Sequence, residues 1–251
     1  MTMLESLALV AGGLVAGTIN TLAGGASSLT VPLLVLLGVP GTVANGTNRV
    51  GIFVQSLWAA LRFRAAGVSG FRDSIPLLVP TCLGAAVGAL GISSVADQTF
   101  ERLFAVVMML MLVPIVGGPA LGLGGRNGGR AQRAMSAPLR FVVYFAIGAF
   151  GGAFQAGVGL LLIIALAYSG YDLVRANSIK VVVNTALTAV AVPIFIARGQ
   201  VAWLPALALT IGFVAGSTLG VHLAVRGGER VIRPALVGAV LLLAGKMLGL
   251  Y

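Results

Sequence analysis

The feature that most constrains this chain is a succession of long apolar segments separated by short polar breaks. An apolar run of about eighteen residues is long enough to cross the roughly 30 Å hydrocarbon layer of a bilayer. The breaks are too short to hold a folded soluble domain. The chain is therefore expected to be a polytopic membrane protein with apolar segments at residues 7–38, 44–63, 74–95, 100–116, 139–170, 176–197, 202–225 and 231–250.

Composition agrees with this interpretation and selects helices over strands. The chain is 59% hydrophobic and 9% charged, whereas soluble domains carry about 25% charged residues. Its 36 glycines suit helices that pack closely in lipid, because small residues let two backbones approach. Alternating ten-residue strands, the mark of an outer-membrane barrel, are not seen. We therefore predict an all-α transmembrane fold.

The second half of the sequence repeats the first. A constant shift of 132 residues brings identical residues into register, and a shift of 128 does so near the end of each half. We expect two transmembrane repeats, at residues 1–118 and 139–251, joined by a linker rich in Gly and Arg at residues 119–138. The matched pairs include Gly25 and Gly157, Gly38 and Gly170, Ala44 and Ala176, Asn45 and Asn177, Gly84 and Gly212, Gly88 and Gly216, Glu101 and Glu229, and Arg102 and Arg230.

The first segment of each half is too long for one ordinary span. Small residues interrupt it at residues 23–28 in the first half and at residues 156–159 in the second. Each interruption predicts a helix, a turn and a second, short helix, which is a broken or re-entrant hairpin. A hairpin followed by three spanning helices would leave the two halves inverted relative to each other, whereas a single crossing would make them parallel.

The positions of the basic residues favour the hairpin alternative. With hairpins, eleven basic residues collect on one face and three on the other; with single crossings the division is nine to five. By the positive-inside rule the linker is then cytoplasmic and both termini are outside. Their place in loops also indicates topology rather than a nucleic-acid surface. The eleven are Arg62, Arg64, Arg72, Arg126, Arg130, Arg133, Arg140, Arg175, Arg226, Arg230 and Arg233, and the three are Arg102, Arg198 and Lys246.

Several kinds of chemistry lack the residues they need. The single cysteine, Cys82, excludes an intramolecular disulfide and a cysteine metal cluster, and the single histidine, His222, leaves no imidazole pair for a metal. No phosphate-loop motif is present, and no acid within the apolar segments stands near His222 for a catalytic triad. The sequence therefore predicts no cofactor, no metal and no enzymatic activity.

The interrupted segments supply the first set of candidate binding residues. The first turn of a helix carries free N–H groups and the positive end of the helix dipole, which together favour anions. Glycines would let a small oxyanion approach the backbone, and serine hydroxyls would add donors. An alternative is that the glycines serve only helix packing. The candidates are Gly24, Gly25, Ser27 and Ser28 in the first half and Gly157 and Gly159 in the second.

A second set of candidates lies at the start of the next helix in each half, and each ends in a cation, Arg49 or Lys180. A cation inside the membrane costs about 2.5–3.5 kcal/mol on insertion scales, and no acidic residue of the apolar segments offers a counter-charge. An anionic ligand would supply one. Alternatively, both side chains extend to the lipid headgroups. Nearby polar residues would orient the ligand, although bonds between helices also explain them: Asn20, Asn48, Gln55, Gln155, Asn177 and Asn184.

These segments together resemble the sulfite exporter TauE/SafE family. The first signature is AGTINTLAGGASSLTVPL at residues 16–33, followed by ANGTNR at residues 44–49. The second is GGAFQAGVG at residues 151–159, followed by ANSIK at residues 176–180. The resemblance spans the whole chain. It implies a bacterial inner-membrane permease of two repeated halves that moves sulfite or organosulfur anions such as sulfonates and sulfoacetate.

Direction and partners are left open by the sequence. Export is favoured because an anion leaving a negative cell interior gains about 2.3 kcal/mol per charge per 100 mV. Import of sulfonate-type anions is one alternative, and a non-transporting membrane scaffold is another. The expected partners are the small anion and the lipid bilayer, with no nucleic acid, and a homo-oligomer is left open.

Overall fold

The computed structural model describes residues 1–110, 135–228, 230–232 and 234, and its regular elements are helices. The all-α prediction is therefore confirmed. The linker at residues 119–138 and the last apolar segment fall almost entirely outside the described residues. The helices are α1 Met3–Leu22, α2 Ser27–Leu36, α3 Gly41–Ala65, α4 Phe71–Ile92, α5 Asp97–Leu110, α6 Ala137–Phe154, α7 Val158–Tyr168, α8 Leu173–Ala197 and α9 Trp203–Gly227.

Five of these helices are long and apolar enough to cross a membrane, which makes the chain a multi-pass membrane protein. They are α1, α4, α6, α8 and α9. Helix α3 has 25 residues and is equally long, but its first half carries a run of buried polar side chains. Helices α2 and α7 have only 10 and 11 residues. At about 1.5 Å per residue, each extends about 15 Å, half the apolar layer.

The two long apolar segments break where the sequence predicts. Helix α1 ends at Leu22, and the chain then passes through Gly24 and Gly25 with φ of 78° and 109°. Helix α6 ends at Phe154, and Gln155 and Gly157 follow with φ of 60° and 76°. Left-handed residues cannot continue a right-handed helix, so the chain turns at both places.

Each break reverses the chain, so α1–α2 and α6–α7 are hairpins. Helix α2 runs back along α1: Gly12 faces Leu33, and Glu5 lines a cavity of about 260 Å³ together with Leu34 and Leu37. In the second hairpin, Gly151 of α6 faces Val158 at the start of α7. The two hairpins are called here the first and the second hairpin, and their turns the hairpin tips.

Glycines join each hairpin to a helix of the other half. On α1, Gly13 and Gly17 lie against α9, which presents Gly212 and Gly216 to α1. On α4, Gly84 and Gly88 lie against α6, whose Gly148 and Gly152 face α4 in return. In both pairs residue numbers rise together along the contact, so the helices run parallel. Four-residue spacing of small residues lets backbones touch, and a Cβ at these positions would enter the facing main chain.

The long helices α3 and α8 form an antiparallel pair at the centre of the bundle. Gly46 near the start of α3 lies against Phe195 near the end of α8, and Ser56 further along α3 bonds Asn184. Helix α3 also runs parallel to α9, since Thr47 bonds Ala202 while Trp58 bonds Thr218. Helices α1, α3 and α9 therefore run one way, and α4, α6 and α8 run the other.

These directions give each helix of the first half an opposite partner in the second. Helices α1, α2, α3 and α4 run up, down, up and down, while α6, α7, α8 and α9 run down, up, down and up. Helix contacts pair in the same way, α1 with α9 and α4 with α6. The inverted relation of the two halves stays our interpretation, and these contact directions support it.

Two equivalent hydrogen bonds close opposite ends of the α3–α8 pair. At one end the Ala202 N–H donates to Thr47 Oγ1 at 2.9 Å, and at the other the Gly70 N–H donates to Ser178 Oγ at 2.8 Å. Gly70 and Ala202 are related by the shift of 132 residues. We call these the Thr47 contact and the Ser178 contact. Each ties the loop after the central helix of one half to the central helix of the other half.

Candidate functional site

The two hairpin tips meet in the interior of the bundle. A Cβ added to Gly24 would lie 2.6 Å from the Gly159 backbone, and one added to Gly159 would lie 2.7 Å from Gly24 Cα. Residues 21–28 and 155–160 are all buried. Because only hydrogen at Cα allows this approach, the tips depend on glycine at both positions.

A lysine and an asparagine of the second half hold the end of α1. The Lys180 Nζ donates to the carbonyls of Asn20 and Thr21, both at 2.8 Å. The amide of Asn177, one turn earlier on α8, donates to Leu22 O at 3.1 Å. The last carbonyls of a helix lack internal donors and carry its negative dipole end, so a cation is stabilised there.

An arginine and an asparagine of the first half hold the end of α6 in the same way. The Arg49 Nη1 donates to Gly151 O at 2.9 Å and to Gln155 Oε1 at 3.3 Å. The amide of Asn45, one turn earlier on α3, donates to Ala153 O at 2.8 Å. Asn45 and Asn177 are the pair that the sequence repeat matches, so each half caps the hairpin of the other.

Neither cation extends to the lipid headgroups, which removes that alternative. The exposed fraction is 0% for Arg49 and 3% for Lys180. The ring of Phe195 lies 4.8 Å from Arg49 Cζ. Of the described acidic residues, none is buried, and the one ion pair found among described residues joins Arg175 to Asp73 at 2.8 Å, near the start of α8. Two buried cations therefore stand without an acidic partner in this part of the chain.

Most of the predicted N-terminal donors of α2 already have partners within the protein. The N–H groups of Gly25 and Ala26 donate to Asn20 Oδ1 at 3.1 and 3.4 Å. Asn48 Nδ2 donates to Ser27 Oγ at 2.8 Å, and the Ser28 hydroxyl donates to Gly25 O. In this closed arrangement the tip of the first hairpin is tied to itself and to α3. An entering anion would have to replace some of these bonds.

Two amide pairs link each hairpin to the central helix of its own half. In the first half Asn20 donates to Gln55 Oε1 at 3.0 Å, and in the second Gln155 donates to Asn184 Oδ1 at 2.8 Å. The amide of Gln55 in turn donates to Gly17 O, and the amide of Asn184 donates to Ser56 Oγ. The structure thus brings four of the predicted amides into two short networks. A cation bonds an amide side chain in the Gln155 network, whereas Lys180 bonds only the backbone carbonyl of Asn20 in the other.

The sequence interpretation missed several residues of this arrangement. Asn45 was matched to Asn177 in the repeat but was not proposed as a site residue, although that match was the available signal. Thr30, which donates to Asn48 Oδ1 at 2.7 Å, and Ser56 gave no signal of their own. Predicted Gly157 lies at the turn before α7 with a left-handed backbone, where it forms the tip rather than a contact to either cation.

Metal chemistry has no set of ligands in the part of the chain that the structure describes. No group of three or more His, Cys, Asp or Glu side chains comes together there. Cys82 lies partly buried on α4, and His222 is exposed on α9. What the described site offers is a pair of buried positive charges, free N–H groups on one of them, and neutral amides around both.

Comparison with known proteins agrees with this architecture. The family model described as "Sulfite exporter TauE/SafE" matches residues 9–247. A Haemophilus influenzae protein named "Probable membrane transporter protein" is 27% identical over 94% of this chain and 91% of its own length. Proteins with that designation from Sinorhizobium and from Escherichia coli K12, the latter called YfcA, are each 24% identical over 93% and 94% of this chain and 88% and 86% of their own lengths.

No solved structure matches the chain significantly. The family match covers nearly all of the sequence, including both hairpins, both central helices and both cations. The chain therefore belongs to the sulfite exporter TauE/SafE family and is a membrane transporter.

Proposed function

We propose that this protein is a secondary permease for sulfite or related small organosulfur anions and that it exports them across the bacterial inner membrane. One observation carries the proposal: Arg49 and Lys180, one from each half, are buried beside the touching hairpin tips with no acidic partner among the described residues. Two uncompensated charges in a membrane interior favour an anionic ligand between the repeats.

The energetics of the membrane support export without a coupled cation. The described acidic residues lie near helix ends and none is buried, so that part of the chain offers no intramembrane carboxylate for sodium or proton coupling. An anion leaving a cell with a negative interior gains about 2.3 kcal/mol per charge per 100 mV. The potential alone can therefore drive outward movement, and the chemistry is transport rather than catalysis.

The arrangement in the membrane is part of the same proposal. The repeats at residues 1–118 and 139–251 are inverted, the linker at residues 119–138 is cytoplasmic, and both termini are periplasmic. The excess of basic residues on the linker side supports this orientation. Rocking of one half against the other would expose the site between the hairpin tips to each side in turn.

The test is flux of labelled sulfite into proteoliposomes under an imposed potential, with sulfate, taurine and sulfoacetate as competitors. The variants Arg49→Gln and Lys180→Gln each remove one buried charge. Arg64→Gln, at an exposed position on α3, is the matched control. We expect potential-dependent flux that falls at least about tenfold in either site variant, one lost charged hydrogen bond being worth about 1.5–3 kcal/mol.

The outcome separates the alternatives. Flux inhibited mainly by sulfoacetate or taurine would keep the anion permease and change its substrate to a sulfonate. Flux that requires an imposed sodium or proton gradient and proceeds against the potential would replace export by import. Folded protein that moves none of these anions, with both charge variants as stable as the native chain, would contradict the proposal and favour a membrane scaffold.

A further inference from the structure

The guanidinium of Arg49 uses only one side of its hydrogen-bonding capacity. Its Nη1 donates to Gly151 O and Gln155 Oε1. Its Nε and Nη2 are buried and have no hydrogen-bond partner among the described residues. A buried charged donor without a partner is costly, at least 1–3 kcal/mol for a typical group, and such a group requires an explanation.

The two unpartnered nitrogens, Nε and Nη2, lie on the same edge of the guanidinium. The Nε–H and one Nη2–H of a guanidinium point in the same direction from one edge of a rigid plane. That edge matches two oxygens bonded to the same atom, as in a carboxylate, a sulfonate or sulfite, and binds them through two parallel hydrogen bonds. A single-atom anion such as bromide has one acceptor for both donors and cannot accept two parallel bonds.

The surroundings hold this edge in place. The Phe195 ring lies 4.8 Å from Arg49 Cζ, and two α6-end acceptors fix the opposite side. Gln155 is itself held by Asn184 at 2.8 Å. The guanidinium is therefore oriented before any ligand arrives, which lowers the entropy lost on binding.

Lys180 differs from Arg49 in this respect. Its ammonium is a compact charge that donates two hydrogen bonds to the carbonyls of Asn20 and Thr21. It closes the end of α1 and adds positive charge, but it has no planar edge to offer. The two cations thus contribute unequally, with charge from both and shape from Arg49 alone.

We propose that the Nε–Nη2 edge of Arg49 binds two oxygens of the transported anion and so makes this site selective for anions with two oxygens on one atom. The inference rests on the proposed function and deepens it by naming the group that is recognised. It extends the accepted ligands to sulfonates and carboxylates of suitable size and disfavours halides.

The test is binding by calorimetry to the full chain in lipid nanodiscs, using sulfite, methanesulfonate, acetate, chloride and bromide as probes. The native protein is expected to bind methanesulfonate at least about tenfold more tightly than bromide, the value of one charged hydrogen bond. Arg49→Lys keeps the charge and removes the edge, so its preference should fall below about threefold through loss of methanesulfonate affinity. Arg64→Lys should match the native chain.

The possible results separate failure of this inference from failure of the proposed function. Equal binding of methanesulfonate and bromide by the native protein overturns the inference while leaving an anion permease in place, and this comparison does not require any variant to fold. An Arg49→Lys variant that weakens both anions equally also overturns it. If no anion is bound and none is moved in the flux assay, the proposed function fails, and the inference fails with it.

Discussion

The two hairpin tips both turn the chain through left-handed residues, but they use different residue types and bond different partners. In the first hairpin, the left-handed positions are Gly24 and Gly25, and Asn20 turns its side chain back onto the tip's own N–H groups. In the second, a left-handed glutamine, Gln155, directs its side chain to Arg49 and Asn184. Both tips are linked to a central helix, but the Asn20 side chain also accepts from its own tip, whereas Gln155 accepts from a cation of the other half.

This difference shows how a repeated fold can hold an asymmetric site. Both tips receive an asparagine and a cation from the opposite half, so the scaffold is conserved between the repeats of this chain. A non-glycine residue in a left-handed conformation costs about 1–3 kcal/mol and persists only where its surroundings require it. The strain lies in the second hairpin, beside the cation with unpartnered donors, which supports the proposal that Arg49 recognises the ligand.

The largest effect is expected where the tips touch. Gly24→Ala adds a Cβ 2.6 Å from the Gly159 backbone at a residue with φ of 78°. The left-handed backbone costs about 1–2 kcal/mol and the overpacking about 1–3 kcal/mol more. We expect the free energy of unfolding in a bilayer mimic to fall by about 2–5 kcal/mol.

Gly67→Ala is the matched control for this change. Gly67 has the same φ of 78°, but nothing lies within 4 Å of the added Cβ. Its free energy of unfolding should fall by only about 1–2 kcal/mol, the conformational cost alone. If the two variants are equally stable, the tips do not touch in the membrane, and a site between the two repeats loses its structural basis.

A smaller effect compares the two asparagine caps. Asn177→Ala removes the bond to Leu22 O, and Asn45→Ala removes the bond to Ala153 O. Each loses one buried hydrogen bond and leaves a carbonyl unpaired, for about 1–2 kcal/mol. Thermal unfolding of the two variants should agree to within about 0.5 kcal/mol, whereas a markedly larger loss for one would show that the caps are not equivalent.

The smallest effect addresses the strained glutamine. Gln155→Gly relieves about 1–3 kcal/mol of left-handed strain and loses the bonds to Arg49 and Asn184, together about 2–4 kcal/mol, so stability should fall by only about 1 kcal/mol. Gln155→Ala loses the same bonds and keeps the strain, so it should be about 1 kcal/mol less stable than the glycine variant. Equal stability of the two variants would mean that Gln155 carries no strain.

Local sequence patterns predicted the helices and the hairpins but not their partners. The breaks at Gly24 and Gly157 could be predicted because glycine interrupting an overlong apolar run has few structural uses. The same glycine content left the packing pairs undecided, since nothing in the sequence says that Gly13 faces Gly212 across the bundle. Contacts between residues some 200 positions apart depend on how the helices assemble.

The residue types of the candidate site could be predicted from the sequence, whereas their hydrogen-bond partners could not. Arg49 and Lys180 were recognised because an intramembrane cation is costly, yet a sequence does not show whether such a cation meets a lipid headgroup, an anion or a helix end. In the structure, Lys180 bonds the carbonyls at the end of α1, a helix of the other half. Gly25 and Ser27 were expected to offer donors to a ligand, but the Gly25 N–H donates to Asn20 Oδ1, and Ser27 Oγ accepts a bond from Asn48.

The Thr47 and Ser178 contacts bear on which way the closed bundle tends to open. Each is a single bond to a hydroxyl, so together they favour neither end. The ends differ elsewhere: the Asp73–Arg175 ion pair lies beside the Ser178 contact, whereas neutral acceptors receive Gln200 and Arg198 beside the Thr47 contact. Because dissolved ions screen the attraction between two opposite charges more than a bond to a neutral acceptor, we expect rising ionic strength to loosen the Ser178 end first. Under the proposed rocking motion, high salt would then favour opening on that side of the membrane.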